Sequence, residues 1–434
     1  MDESAIVTAR ALYRCPGHDY EIDRSAHLAR LAEFYPPCRE CAHRRDVTEL
    51  SASKRRDWAE LERRAQAQPV FTAEGLEALS ANEFTPHSVA RLAMSLAITV
   101  ANTSPASANR TVVVGANGHW QTAELLAAAC HAIQRAGCDA LEAGAVSSAS
   151  LVSAARRAQA AALWIGNFTG NQHTLGIKLW GPQGRPWSSP GGLDVVREQF
   201  TSGVDRPTRN GGNLARLAAD GQYLDPLRPM FHALRPLKLV LETNCEPLAA
   251  YLDALVANAG CQVIRMSRQS DMPTGGVCRP SSESAATELG RQVVAAGAHG
   301  GLWVSGDGER VRVVDEQGAT VDDDALWLTL VRYVCDERPS AMVIVDGTAG
   351  VATRERSSQH RTTLVTAANT REAIHGAMET EGALLGRGPS GQYWFAGEPA
   401  ASDALVAISL LLRILSQSDR PVSEVLADHP APLR

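Results

Sequence analysis

Three times along the chain a short, β-branched apolar run is followed by a helical pattern, and this repeat limits the fold more than any other feature. Thr111 to Gly115 (TVVVG) leads into a helix over Thr122 to Ala136 that Gly137 stops. Lys238 to Thr243 (KLVLET) leads into a helix through Ala259, and Ala341 to Asp346 (AMVIVD) opens a third unit. Runs that are apolar throughout belong to strands covered on both faces, and strands alternating with helices build parallel βαβ units. The expected class is therefore α/β, with modules beginning near residues 70, 205 and 320. Gly- and Pro-rich clusters at 188–192 and 210–212 mark seams.

At 434 residues there is room for about three such modules, each with its own core. A formal charge of -6 with 21% charged residues argues against nucleic acid as a partner. No apolar run reaches the roughly 18 residues a membrane span needs, and the N-terminus MDESAIVTARALYRC lacks the apolar core of a signal peptide. A cytoplasmic protein with no membrane contact is expected. Six of the nine cysteines (Cys130, Cys138, Cys245, Cys261, Cys278, Cys335) stand singly inside apolar patterns, as small buried residues do.

The other three are grouped. Cys15-Pro-Gly-His18 and Cys38-Arg-Glu-Cys41 form two ligand pairs separated by 19 residues, with His43 to spare. Four such donors suit a tetrahedral zinc, and so short a segment needs a staple. Between the pairs, Asp23 to Tyr35 has helical spacing at Leu28, Leu31 and Phe34, with His27 read as a surface residue. Ser51 to Gln68 (SASKRRDWAELERRAQAQ) reads as an exposed helical linker whose bases and acids alternate.

From Leu163 to Gly184 the chain reads LWIGNFTGNQHTLGIKLWGPQG: a strand end, a polar loop from Gly166 to Thr174, then Gly-Ile-Lys-Leu-Trp. A loop at a strand's carboxyl end is where α/β proteins hold their chemistry. The stretch resembles the catalytic loop of the α-D-phosphohexomutases, the phosphomannomutase and phosphoglucomutase family, in which Thr-Ala-Ser-His-Asn-Pro carries the phosphoserine and Asn-Gly-Ile-Lys-Leu follows. Phe71-Thr-Ala-Glu-Gly75 is similar to that family's opening Phe-Gly-Thr-Asp-Gly, and Val113-Val-Gly115 to the strand before its Arg-Asp-Thr-Arg. Ser305-Gly-Asp-Gly-Glu-Arg310 resembles its metal loop, Asp-Gly-Asp-Gly-Asp-Arg, and Gly386-Arg-Gly-Pro-Ser-Gly-Gln392 resembles its sugar loop, Gly-Gly-Glu-x-Ser-Gly-His. These likenesses span about residues 70 to 430 in the family's order.

The resemblance implies a phosphoryl-carrying nucleophile, a divalent cation and basic clamps for phosphate. In an ungapped register the nucleophile's place holds Phe168, which cannot carry phosphate; a one-residue deletion puts Thr169 there instead. The metal loop's aspartates become Ser305, Asp307 and Glu309, a set that should hold Mg²⁺ weakly or not at all. In the sugar loop Gly388 and Gln392 stand for the glutamate and histidine, while Ser390 is kept. Glutamine bonds hydrogen but cannot act as a general acid. Glu77 replaces an arginine of the opening loop, reversing its charge. Lys178, Arg310 and Arg387 are the candidate phosphate clamps.

The implied order is a zinc-knuckle mini-domain (1–48), a linker (49–69) and three consecutive phosphohexomutase-like α/β domains with mixed, mostly parallel sheets (70–204, 205–318 and 319–434). The family's fourth domain, with its Arg-x-Ser-x-Thr phosphate loop, is expected to be absent. Two readings stand side by side. In one, the mutase chemistry is lost and the chain binds a phosphorylated hexose or regulates a protein partner, which the mini-domain would contact. In the other, a rebuilt site uses Thr169 and Mg²⁺. A third makes the zinc unit an adaptor and the α/β body its carrier.

Overall fold

The computed structural model describes residues 12–427 apart from 17, 34, 36–37, 39–40, 65–69, 80–83, 104–109, 169–173, 204–207, 267–281, 360–361, 389–390 and 398–399. It contains a two-stranded hairpin and three larger sheets. The hairpin pairs β1 (Tyr13–Arg14) with β2 (Glu21–Ile22).

The first large sheet contains β3 (Val70–Phe71), β4 (Leu76–Leu79), β5 (Thr111–Ala116), β6 (Asp139–Ala145), β7 (Ala161–Gly166), β8 (Thr174–Trp180) and β9 (Leu214–Arg216). Their spatial order is β3-β4-β8-β7-β5-β6-β9. Every residue of β5 is buried. Val112 and Val114 point into one core with helices Pro86–Thr103 and Thr122–Arg135, while Val113 points into another with helix Ser148–Arg157. That double cover explains the unbroken apolar run. Because β9 pairs with β6, this sheet reaches past the seam expected at 204.

The second sheet holds β10 (Lys238–Thr243), β11 (Gln262–Arg265), β12 (Gly300–Val304) and β13 (Val311–Val314), ordered β11-β10-β12-β13. The third holds β14 (Met342–Asp346), β15 (Thr363–Ala367), β16 (Leu385–Gly388), β17 (Gln392–Phe395) and β18 (Ala401–Ser402), ordered β15-β14-β16-β17-β18. One continuous core joins these two modules, from Leu239 and Leu302 through Trp327 to Leu385 and Leu412.

The three sheets share one device. In each, a strand that pairs in parallel with its neighbour turns back into an antiparallel successor: β7 into β8, β12 into β13, and β16 into β17. The turns between them are the three loops singled out in the sequence. An antiparallel bridge between Arg310 and Gln392 then ties the second turn to the start of β17.

The N-terminal unit differs from expectation in two respects. His27, on helix Arg24–Ala32, is 1% exposed because its ring stacks on Tyr13 at 4.1 Å, and the β1–β2 hairpin that carries Tyr13 covers it. Helix Ala52–Arg64 is not a free linker: Trp58 donates its indole N–H to the Leu31 carbonyl at 2.9 Å, and Lys54 reaches the Ala32 carbonyl at 2.9 Å. Among the described residues no helix is long and apolar enough to cross a membrane.

Candidate functional site

All three turns converge on one buried cluster of charges. Lys178, in the middle of β8 opposite Trp164, is fully buried. Its ammonium lies 2.6 Å from Asp307 Oδ2, 2.8 Å from Glu309 Oε2 and 3.6 Å from Glu74 Oε2, with the Phe168 ring 4.8 Å away. Arg310 donates to Glu74 at 2.9 Å and to the Phe168 carbonyl at 3.2 Å. Arg371 opens helix Arg371–Glu381, lies 4.5 Å from the Trp180 ring, and brings a guanidinium nitrogen to 3.5 Å from Glu309 Oε1. Gln392 donates its amide to Glu309 Oε2 at 2.7 Å, and Ser402 donates its hydroxyl to the Glu309 carbonyl at 3.0 Å.

The 305–310 turn is held from within and without. Asp307 Oδ1 accepts from the Ser305 hydroxyl and the Glu309 N–H, and Ser305 Oγ accepts from the Arg310 N–H at 3.0 Å. The Asp307 carbonyl accepts from Ser148, and that of Gly308 from Ala404. A side chain on Gly306 would collide with the Asn167 carbonyl, so glycine is required where the second turn crosses the first. On the third module Glu372 accepts from the Ser188 and Gly192 N–H groups at 3.2 and 3.1 Å, latching that module to the first.

The charges match. Glu74, Asp307 and Glu309 face Lys178, Arg310 and Arg371, three against three. Burial alone would raise the Glu74 and Asp307 carboxyls, but Lys178 and Arg310 outweigh it and hold both below the usual range. For Arg310, Glu74 and Asp307 overcome burial and raise its pKa. A void beside the cluster, lined by Trp180, Trp394, Glu309 and Arg371 among others, measures about 10 Å³, room for at most one water.

The sequence candidates fare unevenly. Phe168, Lys178, Ser305, Asp307, Glu309, Arg310 and Gln392 come together. Arg387 does not join them: its guanidinium pairs with Asp324, which also accepts from Thr353. Thr169 and Ser390 lie outside the described residues. Glu74, Arg371 and Ser402 were missed. Of these, Glu74 had a signal, since it stands where the opening motif Phe-Gly-Thr-Asp-Gly carries its acid.

In the N-terminal unit Cys15, Cys38 and Cys41 are buried free thiols, as are most of the other described cysteines. Burial, together with Cys15 and Cys41, pushes the Cys38 thiol up to about 12. Arg30 donates to Cys15 Sγ at 3.1 Å, and the His18 ring meets the Tyr35 hydroxyl at 2.9 Å. Among the described residues, no three or more His, Cys, Asp or Glu side chains are placed to share a metal ion, here or in the 305–310 turn.

Residues 68–202 match the family model "Phosphoglucomutase/phosphomannomutase, alpha/beta/alpha domain I". A probable phosphoglucosamine mutase of Methanosarcina acetivorans is 25% identical over 83% of this chain and 80% of its own length. Another, from Methanothermobacter thermautotrophicus, is 26% identical over 74% and 70%. Residues 68–202 belong to the phosphoglucomutase/phosphomannomutase family, and the comparisons support the α-D-phosphohexomutase superfamily for the chain. In fold this chain is similar to a phosphoglucomutase/phosphomannomutase family protein of Burkholderia thailandensis, with TM-score 0.73 and 18% identity over 83% of this chain and 80% of the other. A phosphomannomutase-like structure from Thermus thermophilus gives TM-score 0.70 and 17% identity over 83% of both chains. The three converging turns are those whose sequences resemble the family's catalytic, metal and sugar loops, and they carry the side chains described above.

Proposed function

We propose that this phosphohexomutase-family chain has lost phosphoryl-transfer turnover and acts as a sugar-phosphate-binding or regulatory module. One observation carries the reading: Phe168, with no atom able to accept phosphate, packs its ring against Gly176 and Lys178 at the head of the catalytic loop. The matched charges favour the regulatory side, because Lys178 and Arg310 already face carboxylates. The curated relatives are named for glucosamine phosphate, which makes that sugar the one to try.

The test is intact-protein mass spectrometry before and after incubation with glucose 1,6-bisphosphate and Mg²⁺, run beside a coupled phosphoglucosamine mutase assay. The expected result is an unmodified chain, no turnover above background, and a thermal shift with glucosamine 6-phosphate of no more than about 1 °C. A stable phosphoryl group on Thr169 together with turnover would overturn the reading in favour of an active enzyme.

We also propose that Cys15, His18, Cys38 and Cys41 bind zinc, on the strength of the donor types and the three buried thiols. His18 would have to leave the Tyr35 hydroxyl. A hydrogen bond nets about 1 kcal/mol, small beside the roughly 10–16 kcal/mol of structural zinc sites. Native mass spectrometry should find one zinc per chain, lost in Cys38→Ser. A zinc-free native chain that unfolds no earlier with a chelator would end the proposal.

A further inference from the structure

The position of Lys178 has a consequence for metal binding. Its ammonium nitrogen lies between Asp307 and Glu309, at 2.6 and 2.8 Å from their oxygens, with Glu74 as a third carboxylate neighbour. Those are charge-assisted hydrogen-bond distances, and the nitrogen occupies the point at which the two carboxylates of the 305–310 turn converge. A magnesium ion needs oxygens at about 2.0–2.1 Å in octahedral array, so an ion shared by these two carboxylates would have to sit almost on the ammonium. The Ser305 hydroxyl, the turn's remaining side-chain oxygen, is committed to Asp307 and to the Arg310 N–H. The charge balance points the same way. Three carboxylates already face three cations, and a divalent ion added to this dry cluster would leave two positive charges uncompensated. The residues present therefore do not fit a resident divalent metal.

We infer that Lys178 holds the place between Asp307 and Glu309 that a divalent cation would need: it makes the cleft electrically complete without metal, and removing its charge frees those two carboxylates for a cation. This deepens the proposed loss of turnover and rests on the same loops, but it concerns metal rather than phosphate. A second feature marks the pocket as one that would accept a polar occupant. Gln392 is fully buried with its amide on Glu309, and its Oε1 has no hydrogen-bond partner among the described residues. The ammonium differs from a metal in one further way: it is joined to β8 and cannot be chelated away.

The experiment titrates the full chain with MnCl₂, followed by electron paramagnetic resonance of free Mn²⁺, and records thermal unfolding with MgCl₂ or with NaCl at equal ionic strength. The native chain should show no Mn²⁺ binding that depends on Asp307 and no magnesium-specific shift. Lys178→Ala should melt lower, recover with MgCl₂ but not with NaCl, and bind one Mn²⁺ at least about tenfold more tightly than the native chain. That binding should vanish in Lys178→Ala/Asp307→Asn. A native chain that binds one Mn²⁺ and loses it on Asp307→Asn overturns the inference, and this result does not depend on whether the lysine variants fold. A folded Lys178→Ala indifferent to both metals overturns it equally. Turnover without metal would sink the proposed function and leave this inference standing, whereas Asp307-dependent Mn²⁺ binding without turnover would do the reverse.

Discussion

Lys178→Met is expected to lower folding stability by about 3–5 kcal/mol, because it removes one partner from a buried ion pair and leaves the other charged and dry. By contrast Arg228→Ala, which breaks an ion pair with Asp225 whose side chains are 57% and 67% exposed, should cost within about 0.5 kcal/mol. The pH dependence identifies the cause. In the native chain Lys178 and Arg310 hold the Glu74 and Asp307 carboxyls below their unfolded values. Their contribution is therefore complete above about pH 4, where carboxylates of the unfolded chain ionise, and is lost as pH falls through the folded values. In the methionine variant burial meets weaker opposition and raises the same carboxyls. The sign reverses, so the deficit should be largest at neutral pH and shrink towards pH 5. Urea unfolding at pH 5 and pH 7.5 reads both arms. A deficit equal at the two pH values would mean that the carboxylates are not what Lys178 holds.

The sequence already carried a hint of this arrangement. β8 reads TLGIKLW and all seven positions are buried, so a lysine in its middle must find its counter-charges inside the protein. The family resemblance implies a phosphate clamp at Lys178. What spacing could not show is that the partners wait more than a hundred residues away, on the turn after β12. The modules themselves were legible because β5, β10 and β14 are covered on both faces and need no partner to be recognised. Arg371 left no trace, since its role exists only once the third module's helix docks on Trp180 and Glu309. His27 was misplaced for a similar reason: the ring that buries it belongs to a two-residue strand too short to read.

Gly176→Ala should cost about 2–3 kcal/mol in the native background and less than about 0.5 kcal/mol in a Phe168→Ser background. A methyl on Gly176 would overlap three atoms of the Phe168 ring, closer than real side chains approach, and Phe168 is 3% exposed with the Lys178 ammonium 4.8 Å from its ring centroid. The ring must move, and the space it leaves is where the ungapped register would set the nucleophile. Phe168→Ser alone should lose about 3–5 kcal/mol, as expected for an excised buried phenyl. Denaturant unfolding of the four proteins of this cycle gives the coupling, expected to be near 2 kcal/mol. Equal costs for Gly176→Ala in both backgrounds would place the ring elsewhere and remove the main support for a blocked catalytic loop. If the coupling is found, the serine variant carries a second consequence. It puts a hydroxyl where the ungapped register would set the nucleophile, yet Lys178 still sits between Asp307 and Glu309 and Arg310 still faces Glu74. Phosphoryl uptake from glucose 1,6-bisphosphate should therefore stay at background in Phe168→Ser, because the hydroxyl is only one of the parts the chemistry requires and the charges around it are arranged to neutralise one another.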